Sequence, residues 1–102
     1  FVDMYINTSP SLGWGMSNHK RPEVDNRLAR IEGHVKAVRT MLNDNRTYPE
    51  IVHQIAAVRA SLDGVIDVIV EDLVEDCVAT ARKGKSVSDT VLELQQVVAS
   101  SR

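Results

Sequence analysis

The sequence predicts an all-α fold of three helices, short, very long and short, whose core is completed by a second copy of the chain. Three observations carry that expectation. An apolar stripe recurs at three- and four-residue steps between Val24 and Leu42. A second, near-heptad repeat follows a helix-start signal at Thr47 and runs unbroken towards Gly84. No segment alternates apolar and polar residues as a half-buried strand does.

Residues 1–18, FVDMYINTSPSLGWGMSN, have no helical period and carry Ser9-Pro10-Ser11-Leu12-Gly13. They read as an irregular tail reaching residue 19, with a three-helix domain over 20–102. Met16 offers an alternative start, in which case residues 1–15 are an added extension. The first helix is expected from Pro22 or Glu23 to Asn43. Val24, Leu28, Ile31, Val35, Val38 and Leu42 form one stripe, with Arg27, Arg30 and His34 on one flank and Arg39 on the other. Asn43-Asp44-Asn45 supplies turn-forming side chains to end it.

The second helix opens with Thr47 as N-cap and Glu50 three residues later, the spacing of a capping box. Pro49 falls in the first turn, where an amide has no helical partner to lose. Gly84 suits the helix end. The span is roughly 35 residues, about 50 Å at 1.5 Å per residue. Ile51, Ile55, Val58, Leu62, Val65 and Ile69 alternate four- and three-residue steps, as a coiled-coil seam does. Val52, Ala56, Ile66, Val70, Leu73 and Cys77 widen the apolar surface. Two broad faces on one helix require two partners. Helix 1 covers one and a second copy of helix 2 the other, giving an antiparallel four-helix core built by a dimer. The third helix is expected from Ser86 or Ser88, with Ser86 and Asp89 as a capping pair. Val91, Leu92, Leu94, Val97 and Val98 give it an apolar face to dock, which so short a helix needs.

Composition narrows the function. A chain of 102 residues makes one domain. Its size leaves much apolar surface that oligomerisation can bury. The net charge of −2 provides no global attraction for nucleic acid. Its distribution does. Residues 19–46 hold seven Lys/Arg against four Asp/Glu, whereas 63–76 hold six acids and no base, so a local basic face remains available. The single cysteine excludes an intrachain disulfide and a four-cysteine zinc site within one chain. One thiol suits a reducing cytoplasm. No 18-residue apolar run suggests a membrane span, and no basic region followed by an apolar run suggests a signal peptide. Catalytic sets are missing as well: no Ser/His/Asp or Cys/His arrangement, Gly-rich phosphate loop or two-cysteine redox motif occurs at useful spacing. The chain is not expected to be an enzyme.

The phrases RLARIEGHVKAV, QIAAVRASLDGV and VEDLVEDC, in this order on a short and a very long helix, resemble the CsoR/RcnR/FrmR family. Those bacterial repressors respond to copper, nickel or cobalt, formaldehyde or sulfur species. The likeness covers roughly residues 20–100 and implies an all-helical dimer that pairs into a tetramer. It also implies binding to double-stranded operator DNA through basic residues on a helical face, without a helix-turn-helix, and release by an effector. Carried onto this chain, the DNA-facing positions are Arg27, Arg30 and Arg59, flanked by Lys20 and Arg21.

The effector positions that the resemblance implies are depleted. Tyr48 stands where family members place a cysteine, and Leu73 where copper and nickel members place a histidine. Cys77 matches the second, copper-type cysteine. Cu(I) prefers soft thiolate and imidazole donors. Leucine has no donor atom, so the usual Cu(I) site is not expected. The two-cysteine sulfur switch and the cysteine-plus-amine formaldehyde site both lose their first cysteine.

His19 in the tail, His53 one turn beyond Tyr48, and Cys77 are substitute donors for a transition metal. Glu93 lies where the family often has an acid near its effector. Each has a plainer reading. His19 is then a solvated tail residue, His53 an ordinary helix-surface or interface residue, His34 a structural or DNA-proximal one, and Cys77 a small buried hydrophobe. The acidic stripe Asp63, Asp67, Glu71 and Glu75 fits a hard-cation site or, more simply, a solvated face. Two functions compete: an effector-released repressor, and a helical oligomerisation module that has lost effector sensing.

Overall fold

The computed structural model describes residues 19–101. Among them are three helices and no strand: α1, Arg21–Asn43; α2, Tyr48–Arg82; and α3, Ser88–Ser100. The all-α expectation and the order short, very long, short are both met. The expected tail and the alternative start at Met16 lie outside the described residues, except for His19.

The helix ends follow from local chemistry. At the start of α2 the Thr47 hydroxyl accepts from the Glu50 amide (3.4 Å), while Glu50 Oε1 accepts from the Thr47 amide (3.3 Å) and hydroxyl (2.8 Å). This is the expected capping box. Arg46 adds its guanidinium to the other Glu50 oxygen. Helices α1 and α2 end alike. Asn45 takes φ +59° and Gly84 φ +72°. Asn45 N–H donates to Leu42 O and Arg46 N–H to Met41 O; Gly84 N–H donates to Ala81 O and Lys85 N–H to Thr80 O. Each pair is a Schellman closure around a left-handed residue.

Helix α3 starts at Ser88, as expected, but without the expected capping pair. Its N-cap is Val87, which makes no side-chain cap bond. The Ser86 hydroxyl instead accepts from the Ser88 amide, 3.3 Å away, and lies 3.0 Å from the Ser88 hydroxyl. A hydroxyl two residues back from an amide closes a local serine turn, which supplants the Ser86–Asp89 box.

The chain divides into two compact units within its helices. The first, Arg21–Val68, is an antiparallel hairpin of α1 and the first part of α2. Its buried residues include Ile31, Ile51, Val65 and Val68. The apolar stripe splits by heptad. On α1, Val24, Ile31 and Val38 are buried or half-buried, while Leu28, Val35 and Leu42 stay exposed. On α2, Ile51, Val58 and Val65 turn inward, while Val52, Ile55 and Leu62 stay exposed. His34 bridges the hairpin through Gln54 Oε1 at 2.8 Å.

The second unit takes Ile69 onward together with His19 and Lys20. Leu73 and Thr90 are buried there, and Leu94, Val97 and Val98 of α3 are half-buried. Two carboxylates, Asp72 and Asp76, are buried as well.

Candidate nucleic-acid interface and effector site

In the first unit, Arg27 and Arg30 of α1 line a groove of about 380 Å³ with Ile31 and with Ala60, Ser61 and Gly64 of α2. The opposing wall is built from small residues. A Cβ added at Gly64 would sit 3.9 Å from an Arg27 guanidinium nitrogen, an ordinary contact. Arg27 is half-buried and held by Glu23 one turn back, with Nε and an outer nitrogen each 3.1 Å from Oε2. Arg30 and Arg59 are exposed. Among the described residues neither has an ion pair. The wall residues Ala60, Ser61 and Gly64 were not anticipated, although small residues at helical spacing are a legible signal of close approach.

Lys20 lies with the acids of the second unit. Its ammonium is 3.3 Å from Glu71 Oε1 and 3.5 Å from Glu75 Oε2, and its amide donates to Asp72 Oδ2 at 3.3 Å. The Glu71 hydrogen bond, aided by Glu75, holds the ammonium pKa above its ordinary value. Arg21 is exposed at the start of α1.

Of the substitute donors, His53 belongs to the first unit, and His19 and Cys77 to the second. His53 is exposed and lines a groove of about 450 Å³ with Met41, Arg46, Pro49, Glu50 and Gln54. Cys77 is a free, half-buried thiol farther along the same helix. Tyr48 is 75% exposed, and Glu93 is exposed on α3.

His19 does find partners. Its Nδ1 lies 2.7 Å from Asp72 Oδ1 and its Nε2 2.8 Å from Glu75 Oε1. One donor atom from each of these three residues falls within 4.8 Å of the others. The His19 hydrogen bond holds the Glu75 carboxyl below its ordinary range. Asp76, one turn beyond Asp72, is pushed up, first by burial and then by the Asp72 charge. Glu71 and Glu75 stand out in the sequence as part of an acidic stripe, and Asp76 as an acid beside Cys77; Asp72 does not. The signal was there: two acids at i, i+4 beside Leu73 and Cys77 belong to the apolar side of the helix.

Against this geometry, the family model described as "Metal-sensitive transcriptional repressor" matches residues 20–100. The chain belongs to that family. One relative of the repressor is the copper-sensing transcriptional repressor CsoR of Bacillus subtilis (strain 168). The two are 35% identical over 81 residues, which cover 79% of this chain and 80% of the relative. Among solved structures, the nickel-responsive transcriptional regulator InrS superposes with a TM-score of 0.68 at 37% identity, covering 76% of this chain and 88% of that one. The family is one of transcriptional regulators, and among the described residues no helix is long and apolar enough to cross a membrane.

Membership raises the question of whether the residues present fit a metal. The soft set that the resemblance points to does not fit. Leu73 is 3% exposed, packed as core and without a donor atom, and Tyr48 provides only a phenol. Cys77 alone keeps a soft donor at those positions.

Proposed function

We propose that the repressor binds double-stranded operator DNA through the α1–α2 groove and is released by an effector held outside the soft positions. The observation that carries this reading is the groove itself. It pairs Arg27 and Arg30 against a small-residue wall, with Arg59 exposed beside it on α2. A low wall lets a phosphate backbone approach the guanidinium groups closely, and Arg suits phosphate through its planar fork of donors. Lys20 and Arg21 extend the basic run towards the tail. The working unit is a homodimer or a tetramer made of two dimers, acting in the cytoplasm. Exposed Leu28, Val35 and Leu42 on α1 and Ile55 and Leu62 on α2 are the apolar surface that a second copy covers.

Fluorescence anisotropy on the DNA upstream of the chain's own gene tests this. The expected result is tight binding that weakens steeply with salt, as counterion release demands. Arg27→Ala or Arg59→Ala should reduce both the affinity and the magnitude of the log–log salt slope, by about 1 for each phosphate contact removed, with the helical circular dichroism unchanged. Unaltered affinity in both variants would remove the groove from the interface.

A further inference from the structure

We propose that His19, Asp72 and Glu75 form a binding site for a borderline divalent cation of the cobalt-to-zinc kind. The placement of donors comes first. An imidazole and two carboxylates from segments more than fifty residues apart in sequence bring their donor atoms within 4.8 Å of one another.

The second observation concerns Asp72 and Asp76 alone. Both lie on the protected side of α2, at 4% and 6% exposure. Each leaves a buried oxygen, Asp72 Oδ1 and Asp76 Oδ2, with no hydrogen-bond donor. Asp72 Oδ1 is also the oxygen 2.7 Å from His19 Nδ1, a charge contact out of line for a hydrogen bond. Buried carboxylate oxygens without donors are costly, and two such carboxylates one turn apart favour a cation beside them.

The imidazole sharpens the point. Both of its ring nitrogens face carboxylate oxygens, at 2.7 and 2.8 Å. An imidazole can coordinate through one nitrogen while a carboxylate holds the N–H of the other, the usual arrangement behind a metal-bound histidine. A divalent cation there also balances the carboxylate charges that face the ring. The donor set also selects the ion. One imidazole nitrogen and two carboxylate oxygens suit Zn(II), Co(II) or Ni(II), not Cu(I). None of Tyr48, Leu73 and Cys77 belongs to it.

The site also has a route to the DNA face, and this part rests on the repressor reading. Lys20 follows His19 directly and is tied to Glu71, Glu75 and Asp72. A cation drawn to Glu75 and Asp72 competes with Lys20 for those acids. Binding therefore frees the Lys20 ammonium, which the repressor reading counts among the phosphate contacts.

Co(II) is the probe of choice for the full chain, because its visible bands report ligand type and number. Titration should give one Co(II) per chain, displaced by Zn(II), with no thiolate charge-transfer band. His19→Ala and Asp72→Asn should each lower Co(II) affinity at least tenfold, while Cys77→Ala should leave it in place. Asp72 is buried, so its variant is checked by circular dichroism. Glu75→Gln, at an exposed position, provides a second test that does not disturb packing.

Absence of Co(II) and Zn(II) binding would overturn the site and leave an ion-pair cluster only. Binding that survives His19→Ala and Glu75→Gln but disappears in Cys77→Ala would overturn it too. Anisotropy on the upstream DNA separates the two ideas. Co(II) binding without any DNA binding sinks the repressor reading and keeps the site. DNA binding without Co(II) binding does the reverse.

Discussion

Arg46, Thr47 and Glu50 show how much of this fold rests on single side chains at helix ends. Glu50 receives the Arg46 guanidinium and the Thr47 hydroxyl and amide, and its carboxyl is held down to about 2 from 4.5. The sign of its effect follows. The folded state prefers the ionised carboxylate, so its contribution is fully present above pH 4.5 and is lost as pH falls from 4.5 towards 2. Thermal melts between pH 6 and 2 should show the Glu50→Gln variant losing less stability than the parent on the acid side. Parallel curves would mean the cap carries no linkage. Thr47→Ala should cost about 1 kcal/mol, as cap removals do. Gly84 is the other sensitive position. Its φ of +72° admits a Cβ only under strain although the space is open, so Gly84→Ala should cost roughly 1–2 kcal/mol in chemical denaturation.

At the scale of elements, helix legibility was high because each end carries its own chemistry. Thr47 and Glu50, Gly84, and Asn45 after Asn43-Asp44 announced the limits of α1 and α2. Val87 did not announce α3, because the Ser86 hydroxyl chose the nearer amide. The core was only half legible. Six stripe positions of α1 look equivalent in sequence, yet Val24, Ile31 and Val38 turn inward while Leu28, Val35 and Leu42 face out. A stripe wide enough for two partners does not say which half meets which. Ile31→Ala should therefore cost about 2–5 kcal/mol in chemical denaturation. Leu28→Ala should cost far less in folding and show its effect in self-association. Equal losses would mean the two heptad series are not distinct. The candidate site was legible in parts. Arg27 and Arg30 share a flank of the α1 stripe in the sequence, and both line the α1–α2 groove. The convergence of His19 on Asp72 and Glu75 could not be read there, because it depends on a contact distant in sequence.

For the whole molecule, the exposed heptads set the expectation for assembly. Leu28→Lys combined with Leu62→Lys places a charge in each outward stripe. Sedimentation should then find a lighter species than the parent forms, with helix content retained. An unchanged mass would move the association surface elsewhere. Another consequence lies in α2, which stays helical from Tyr48 to Arg82 although the division between the two units falls at Val68 and Ile69. A protease must thread an extended stretch of chain through its cleft, and an intact helix offers none. Trypsin should therefore nick first in the two connections, after Arg46, Lys83 or Lys85. It should leave one long central fragment that no digestion short of unfolding splits into its two halves.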